Sequence, residues 1–196
     1  METISIIIAG VGGQGSLLAG RLLGTLFMNE GYDVKVSEVH GMSQRGGSVI
    51  TCVRFGQKVF SPIIETGEAD YIVSFEKLEA ARYTDKLKPS GIMITNTQQI
   101  DPMPVITGAA QYPKDILDDV QKAGIRVDAI DGLSLAVRAG SVKSVNVVML
   151  GRLARYMSVP KEKWIQALEQ VLAPKLIELN KKAFNLGFDF HGSDRY

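Results

Sequence analysis

The chain has 196 residues, a formal net charge of +1 and a hydrophobic fraction of 45%. This length suits one domain with a sizeable core. The balanced charge points to neither a nucleic-acid nor a membrane-surface partner, and no apolar run approaches the roughly 20 residues of a membrane span. Because the sequence opens on a strand pattern rather than a basic secretory leader, we expect a cytoplasmic protein.

Residues that bind metals or form disulfides are scarce. Cys52 is the only cysteine, and His40 and His191 are the only histidines. A single thiolate cannot hold an iron–sulfur cluster, which usually takes four, and no Cys/His spacing resembles a zinc site. We expect no metal on this chain and a buried structural role for Cys52, which falls in a predicted strand.

The first predicted elements are an apolar strand from Ile4, a glycine-rich turn and a helix over residues 16–30. Gly10, Gly12 and Gly15 fit the G-x-G-x-x-G pattern at the point where the strand meets the helix. Backbone N–H groups and the positive end of the helix suit an anion there. A tight strand-to-helix turn needs glycines in any case, so this fingerprint leaves both a phosphate site and a purely structural turn open.

A second strand is predicted over residues 33–39, which would complete a right-handed βαβ unit with a parallel strand pair. Glu38 lies near its end, roughly 20 residues beyond the glycines, where a dinucleotide-binding fold places the acid that holds the ribose. A solvated carboxylate at a strand end is the alternative interpretation of Glu38.

The polar, glycine-rich segment 40–47 follows and is predicted to be a loop on the same edge of the sheet as the glycine turn. In open parallel sheets this edge is where ligands bind. Arg45, followed by Gly46 and Gly47, could reach a phosphate, a carboxylate or a partner chain, or it could simply be exposed.

The rest of the chain alternates strands and helices and ends in helices. Strands are predicted at 48–55, 58–60, 70–75, 92–95, 103–106 and 126–130, with 58–60 returning as a hairpin strand. Helices are predicted at 77–83 and 113–123 and over most of 133–187. We expect one α/β domain over residues 1–190, with a three-layer Rossmann-like fold and a mostly parallel sheet, and a disordered tail over 191–196.

Two segments resemble a known family. Gly12-Gly13-Gln14-Gly15 with Ala19 is similar to the Gly-Gly-Gln-Gly-x-x-x-Ala pattern of the gamma-type domain of 2-oxoacid:ferredoxin oxidoreductases. The stretch 37–48, Ser-Glu-Val-His-Gly-Met-Ser-Gln-Arg-Gly-Gly-Ser, looks like the beta subunits of the indolepyruvate branch of that family. Residues 144–151 and 180–187 also fit, so the resemblance covers nearly the whole chain.

The resemblance implies an enzyme subunit that is active only in a complex with other subunits. Family enzymes decarboxylate a 2-oxoacid on thiamine diphosphate, pass electrons through iron–sulfur clusters to ferredoxin and deliver the acyl group to coenzyme A. This chain has no Gly-Asp-Gly followed by Asn-Asn, the usual metal–diphosphate motif for thiamine diphosphate. The resemblance therefore implies that thiamine diphosphate, magnesium and the clusters lie on a larger partner subunit.

Candidate binding residues follow from the resemblance in the same way. Gly12, Gly13, Gln14 and Gly15, with the Arg45-Gly46-Gly47 loop, would meet the pyrophosphate of coenzyme A or the surface of the partner. The expected substrate is indolepyruvate or another aryl pyruvate.

Other hypotheses remain open at this stage. The chain could be the gamma subunit of a pyruvate or 2-oxoglutarate relative, or a free-standing NAD(P)-binding dehydrogenase that uses Gly10, Gly12, Gly15 and Glu38. A non-catalytic binding module, forming a homodimer when isolated, is the third hypothesis.

Overall fold

The computed structural model describes residues 2–40 and 47–191. Within these residues the chain forms six strands and eight helices. The strands are β1 (Ile4–Val11), β2 (Asp33–His40), β3 (Ser48–Gly56), β4 (Ala69–Ser74), β5 (Leu87–Asn96) and β6 (Val127–Ile130). The helices are α1 (Ser16–Asn29), α2 (Lys77–Arg82), α3 (Met103–Ile106), α4 (Ile116–Lys122), α5 (Gly132–Ala139), α6 (Val145–Ala154), α7 (Lys161–Val171) and α8 (Pro174–Phe188).

The six strands form one mixed sheet in the order β2-β3-β1-β4-β5-β6. Strands β1, β4, β5 and β6 pair in parallel, whereas β3 pairs antiparallel with both β1 and β2. Five of the six strands therefore run in one direction, and their carboxyl ends share one edge of the sheet. We call this the carboxyl edge.

The predicted parallel pairing of the first two strands is wrong. β1 and β2 run in the same direction, but β3 lies between them and hydrogen-bonds to both. The hairpin partner of β3 is β2, whereas the predicted return strand at 58–60 has no strand structure. Sequence periodicity identifies strands but carries no information about their order, so an inserted antiparallel strand was missed.

The segment Met103–Ile106 was predicted to be a strand and is instead the one-turn helix α3. Proline is tolerated in the first helical turn, where its missing N–H would have no partner. Pro104 occupies that turn, so the prolines that bracket the apolar residues favour the helix start over a strand. Helix α4 begins at Ile116, three residues later than predicted.

Alternating side chains of β1 divide the core into two layers. Ile6 and Ile8 pack with α1 and the C-terminal helices, and Ile7 and Ala9 pack on the opposite face, where α2 and α4 lie. Helices on both faces of a mostly parallel sheet are what the three-layer α/β prediction requires. The predicted fold class and helical C-terminus are confirmed.

No helix among the described residues is long and apolar enough to cross a bilayer. The predicted disordered tail lies outside the described residues, apart from His191.

Candidate functional site

The glycine turn joins β1 to α1 at the carboxyl edge. Gly13 has φ of 102° and Gly15 has φ of 86°, both in the left-handed region that favours glycine. Ala19 is the first residue of α1 whose N–H has an acceptor among the described residues. It donates to the Gly15 carbonyl at 3.1 Å. The N–H groups of residues 16–18 have no hydrogen-bond acceptor among the described residues, as expected of a helix end that can bind an anion.

Gln14 is committed to the turn itself. Its Oε1 accepts from the Val11 N–H at 2.7 Å, and its Nε2 donates to the Phe75 carbonyl at 3.1 Å. These bonds fasten the turn to the residue that follows β4. A Cβ on Gly10 would lie 3.0 Å from Gln14 Oε1 and 3.1 Å from the Phe75 ring, so Gly10 makes room for this clamp. The side chain of Gln14 thus shapes the predicted site from within.

Gly15 lies against the buried side chain of Asn146, at the start of α6. Asn146 Nδ2 donates to the Gly15 carbonyl at 3.2 Å. A Cβ on Gly15 would lie only 2.4 Å from that Nδ2 atom, well inside any real contact. The close approach of two helix starts explains why glycine occupies this position.

The second predicted loop ends against the glycine turn. The Gly12 N–H donates to the Gly47 carbonyl at 2.8 Å, where the segment 41–47 enters β3. Gly47, the last residue of the second segment, therefore lies beside the glycine turn at the carboxyl edge. Arg45 and Gly46 lie outside the described residues.

Two clefts of opposite charge flank the glycine turn. The first, here the Lys143 cleft, has a volume of about 500 Å³, and Lys143 is the only charged residue among the described residues that line it. Its other lining residues are Gly13, Gln14, Gly15, Leu18, Gln98, Ile100, Leu133, Val142, Val145 and Asn146. The second, the Glu38 cleft, measures about 430 Å³ and is lined by Gly12, Gly13, Gly15, Ser16, Leu17, Glu38 and Val49. Judged from the charges of the described lining residues, an anionic ligand is favoured in the first cleft over the second.

Glu38 lies beside the turn, but not where a dinucleotide-binding fold needs its acid. Its carboxylate accepts a hydrogen bond from the Thr51 hydroxyl at 3.3 Å, within the β2–β3 pair. Because β3 separates β2 from β1, Glu38 is displaced by one further strand spacing, about 4.8 Å, from the glycine turn.

Glu76 binds Ile100, one of the residues that line the Lys143 cleft. It follows β4, is 1% exposed, and accepts hydrogen bonds from the N–H groups of Glu79 at 2.9 Å and Ile100 at 3.2 Å. The hydroxyl of Tyr112 donates to the same carboxylate. Burial, followed by this hydrogen bond, raises the pKa of Tyr112 above its usual range, so Tyr112 stays a donor at neutral pH.

Glu79, one turn further along α2, is also buried. It accepts a hydrogen bond from Arg82 Nε at 2.9 Å and another from the hydroxyl of Ser48, the first residue of β3. Glu76, which caps α2, and Glu79, within α2, thus bind Ile100 and Ser48 respectively.

Glu76, Tyr112 and the role of Asn146 were not predicted from the sequence. Glu76 and Tyr112 are 36 residues apart, and no local pattern links them. A buried acid at the first turn of a predicted helix was the one available signal, since such residues commonly cap helices.

The described residues do not fit the redox and thiamine cofactors of the resembled enzymes. They contain no group of three His, Cys, Asp or Glu side chains arranged to hold a metal ion. Cys52 is half-buried on β3, and burial raises the pKa of its thiol, which disfavours the thiolate that a cluster needs.

The family model for pyruvate ferredoxin/flavodoxin oxidoreductase matches residues 5–190. Among curated relatives, the indolepyruvate oxidoreductase subunit IorB of Thermococcus kodakarensis is 43% identical, with 95% of each chain covered. The IorB subunit of Archaeoglobus fulgidus is 37% identical, over 95% of this chain and 94% of the relative. The gamma subunit common to the pyruvate and ketoisovalerate oxidoreductases of T. kodakarensis is more distant, at 25% identity.

Solved structures share the fold at lower identity. The pyruvate oxidoreductase subunit PORC of Thermotoga maritima has a TM-score of 0.74 at 21% identity, covering 96% of this chain and 97% of that one. The 2-oxoglutarate:ferredoxin oxidoreductase of Magnetococcus marinus, solved with coenzyme A bound, has a TM-score of 0.72 at 19% identity, and the match covers 95% of this chain but only 30% of that chain. The extent of the sequence match settles the family: the chain belongs to the pyruvate ferredoxin/flavodoxin oxidoreductases.

Proposed function

We propose that this chain is the small subunit of an indolepyruvate:ferredoxin oxidoreductase. In this proposal the complex decarboxylates indolepyruvate and other aryl pyruvates oxidatively, forms the acyl-CoA and reduces ferredoxin. The observation that carries the proposal is the correspondence, at 37–43% identity and almost end to end, with subunits named for indolepyruvate.

The residues present support a division of labour between two chains. With one cysteine in the sequence and no metal-binding cluster among the described residues, this chain has no donor set for iron–sulfur clusters or for a metal–diphosphate site. The proposed partner is a larger subunit that holds thiamine diphosphate, magnesium and the clusters. Residues 1–190 would act as one domain in that complex, and the cytoplasm is its proposed location.

The proposed contribution of this chain is the carboxyl edge. Lys143 and the backbone of Gly13 and Gly15 suit a diphosphate in the Lys143 cleft, and Leu18, Ile100 and Leu133 suit the apolar part of a ligand's arm. Coenzyme A combines these two features, so we assign its access path to the Lys143 cleft. Arg45, Gly46 and Gly47 are proposed to close the neighbouring edge against coenzyme A or the large subunit.

Reconstitution with the large subunit tests the proposal. The isolated chain should turn over no 2-oxoacid, and the two-chain complex should reduce ferredoxin with indolepyruvate only when coenzyme A is present. Full activity of the large subunit without this chain would contradict the proposal.

Substrate choice is read from the same complex by comparing kcat/KM for indolepyruvate, pyruvate and 2-oxoglutarate. We expect indolepyruvate to be preferred by at least about tenfold, since an aryl-sized pocket loses packing contacts with small substrates. Preference for pyruvate would instead support the alternative of a gamma subunit of a pyruvate enzyme.

The free-standing dehydrogenase has less support. It requires NADH or NADPH binding by the isolated chain, and the strand inserted between β1 and β2 moves Glu38 away from the ribose position. Titration of the isolated chain with both nucleotides, followed by fluorescence, separates the hypotheses, because tight binding would favour the dehydrogenase.

A further inference from the structure

The Lys143 cleft has one wall that depends on a buried carboxylate without a cation. Glu76 accepts three hydrogen bonds, yet it forms no ion pair among the described residues. A buried charge of this kind is tolerated only while its hydrogen-bond donors stay in place. The hydrogen bonds to Glu76 therefore also restrain the positions of the residues that donate them.

Two of these donors delimit the segment 98–112, which leaves the sheet after β5. Ile100 binds Glu76 near the start of the segment, and Tyr112 binds it at the end. Between them α3 projects into solvent, with Met103 64% exposed and Ile106 65% exposed. The segment is thus a loop fastened at its base by one side chain.

The base of this loop also forms part of the wall of the Lys143 cleft. Gln98 and Ile100 line the Lys143 cleft opposite Lys143 and Asn146. The Gln98 carbonyl accepts from the Lys77 N–H at 3.1 Å, and the Gln98 amide oxygen accepts from Asn96 Nδ2 at 3.3 Å. These bonds fix Gln98 without Glu76, so Ile100 is the wall residue whose position depends on Glu76 and Tyr112.

We propose that Glu76 and Tyr112 are positioning residues that hold Ile100 against the Lys143 cleft and thereby set the affinity of the assembled enzyme for coenzyme A. Neither residue touches the reacting atoms in this proposal. It rests on the proposed function and adds to it the side chains that shape the coenzyme A path.

The test uses the reconstituted two-chain enzyme with coenzyme A varied at saturating 2-oxoacid. Tyr112→Phe removes the tether and the acceptor of the Leu78 N–H at 3.1 Å, and it leaves the Glu79 N–H bound to Glu76. We expect it to raise KM for coenzyme A about fivefold and to keep kcat within about twofold, since it alters binding rather than chemistry. The matched control is Tyr156→Phe, which removes a tyrosine hydroxyl bound to Asp128 on the α6 face and should leave both constants unchanged.

Two further variants test whether the change in KM for coenzyme A arises from Ile100 in the wall of the Lys143 cleft. Glu76→Gln retains an oxygen that can accept from Tyr112, so it should raise KM less than Tyr112→Phe does. Ile100→Ala truncates the wall directly, and its combination with Tyr112→Phe should raise KM about as much as either single change, because coupled residues are not additive.

Several outcomes would overturn the inference. They are an unchanged KM in Tyr112→Phe, a fall in kcat alone, additive effects in the double variant, or an equal effect of Tyr156→Phe. Weakened assembly with the large subunit at unchanged KM would assign the tether to docking and would overturn it as well. If KM for coenzyme A is the same with and without the wild-type chain, the proposed function falls together with the inference.

Discussion

Two carboxylates, one at the carboxyl edge and one on β6 beside α6, illustrate two ways of burying an acid. Glu76, at the carboxyl edge, and Asp128, in the amino-terminal half of β6, each accept a hydrogen bond from a tyrosine hydroxyl. Asp128 also has a cation, because Arg152 binds it through two nitrogens, with Nη2 at 3.1 Å. Glu76 has backbone N–H groups in the place of a cation.

The contacts of Asp128 stabilise the fold, whereas those of Glu76 position a loop. Arg152 also donates to the Phe190 carbonyl at 2.7 Å, and Tyr71 donates to the Tyr156 carbonyl at 3.0 Å. The Asp128 cluster therefore joins β4, β6, α6 and the end of α8 in the body of the fold. The Glu76 contacts fasten a loop beside a cleft. The ion pair of Asp128 joins packed elements of the fold, whereas the backbone hydrogen bonds to Glu76 position a loop at the candidate site.

The largest expected effect is at Asp128. Asp128→Asn leaves the Arg152 guanidinium, whose side chain is only 15% exposed, without its counter-charge. We expect the free energy of unfolding to fall by about 3 kcal/mol, since breaking a buried pair strands one charge. Urea denaturation measures this change, and a loss smaller than that of Glu76→Gln would reverse the comparison between the two sites.

Gly15 comes next, because two penalties combine there. Gly15→Ala places a Cβ against Asn146 and in a left-handed conformation, and we expect a loss of about 2 kcal/mol. Gly67→Ala is the matched control, since Gly67 has φ of 74° and no atom within 4 Å of the added Cβ. Its loss, about 1 kcal/mol, should reflect the backbone conformation alone. Equal losses in the two variants would show that the contact with Asn146 costs nothing.

Glu76→Gln should destabilise less than Asp128→Asn. No cation is stranded, and the loss is limited to a weakened helix cap and weaker hydrogen bonds, for which we expect about 1 kcal/mol. Thermal or urea unfolding of the two variants in parallel gives the ratio. A cost near that of Asp128→Asn would mean that the Glu76 charge stabilises the fold as strongly as an ion pair does.

The smallest expected effect is on alkaline stability. Burial and the Glu76 hydrogen bond raise the pKa of Tyr112, with Asp101 adding to the rise and the Leu78 N–H opposing it. Above pH about 10 the unfolded chain releases this proton before the folded chain does, so stability falls as pH rises. Tyr112→Phe should make this fall shallower. In Tyr156→Phe the change should be smaller, because Arg152 and Arg126 offset the rise in the pKa of Tyr156.

The sequence alone predicts the parts of this molecule that depend on local patterns. The apolar run of β1, the helix after Gly15 and the position of Gly47 beside the glycine turn all follow from periodicity and turn chemistry. Strand order does not, because Val34, Val36 and their neighbours have the same pattern whether β2 pairs with β1 or with β3.

The candidate site was predicted only in part for a similar reason. Glycines in a strand-to-helix turn are visible in the sequence, and Gly12, Gly13 and Gly15 do lie together there. The contact of Gln14 with a ligand or a partner stays a prediction, and the bonds from its side chain to Val11 and Phe75 were not predicted. Glu76 and Tyr112 form a contact across 36 residues, and long-range pairs of this kind leave no periodic trace.

The insertion of β3 between β1 and β2 has a consequence for how the chain folds. The strand-pairing partners of β2 and β3 all lie within residues 4–56, so a three-stranded unit can pair before β4 is needed. During synthesis this unit can form first, and the parallel strands, which need longer crossovers, are added to its β1 side afterwards. Pulse-labelling hydrogen exchange should accordingly find the β3 amides protected ahead of those in β6, and simultaneous protection would count against this order.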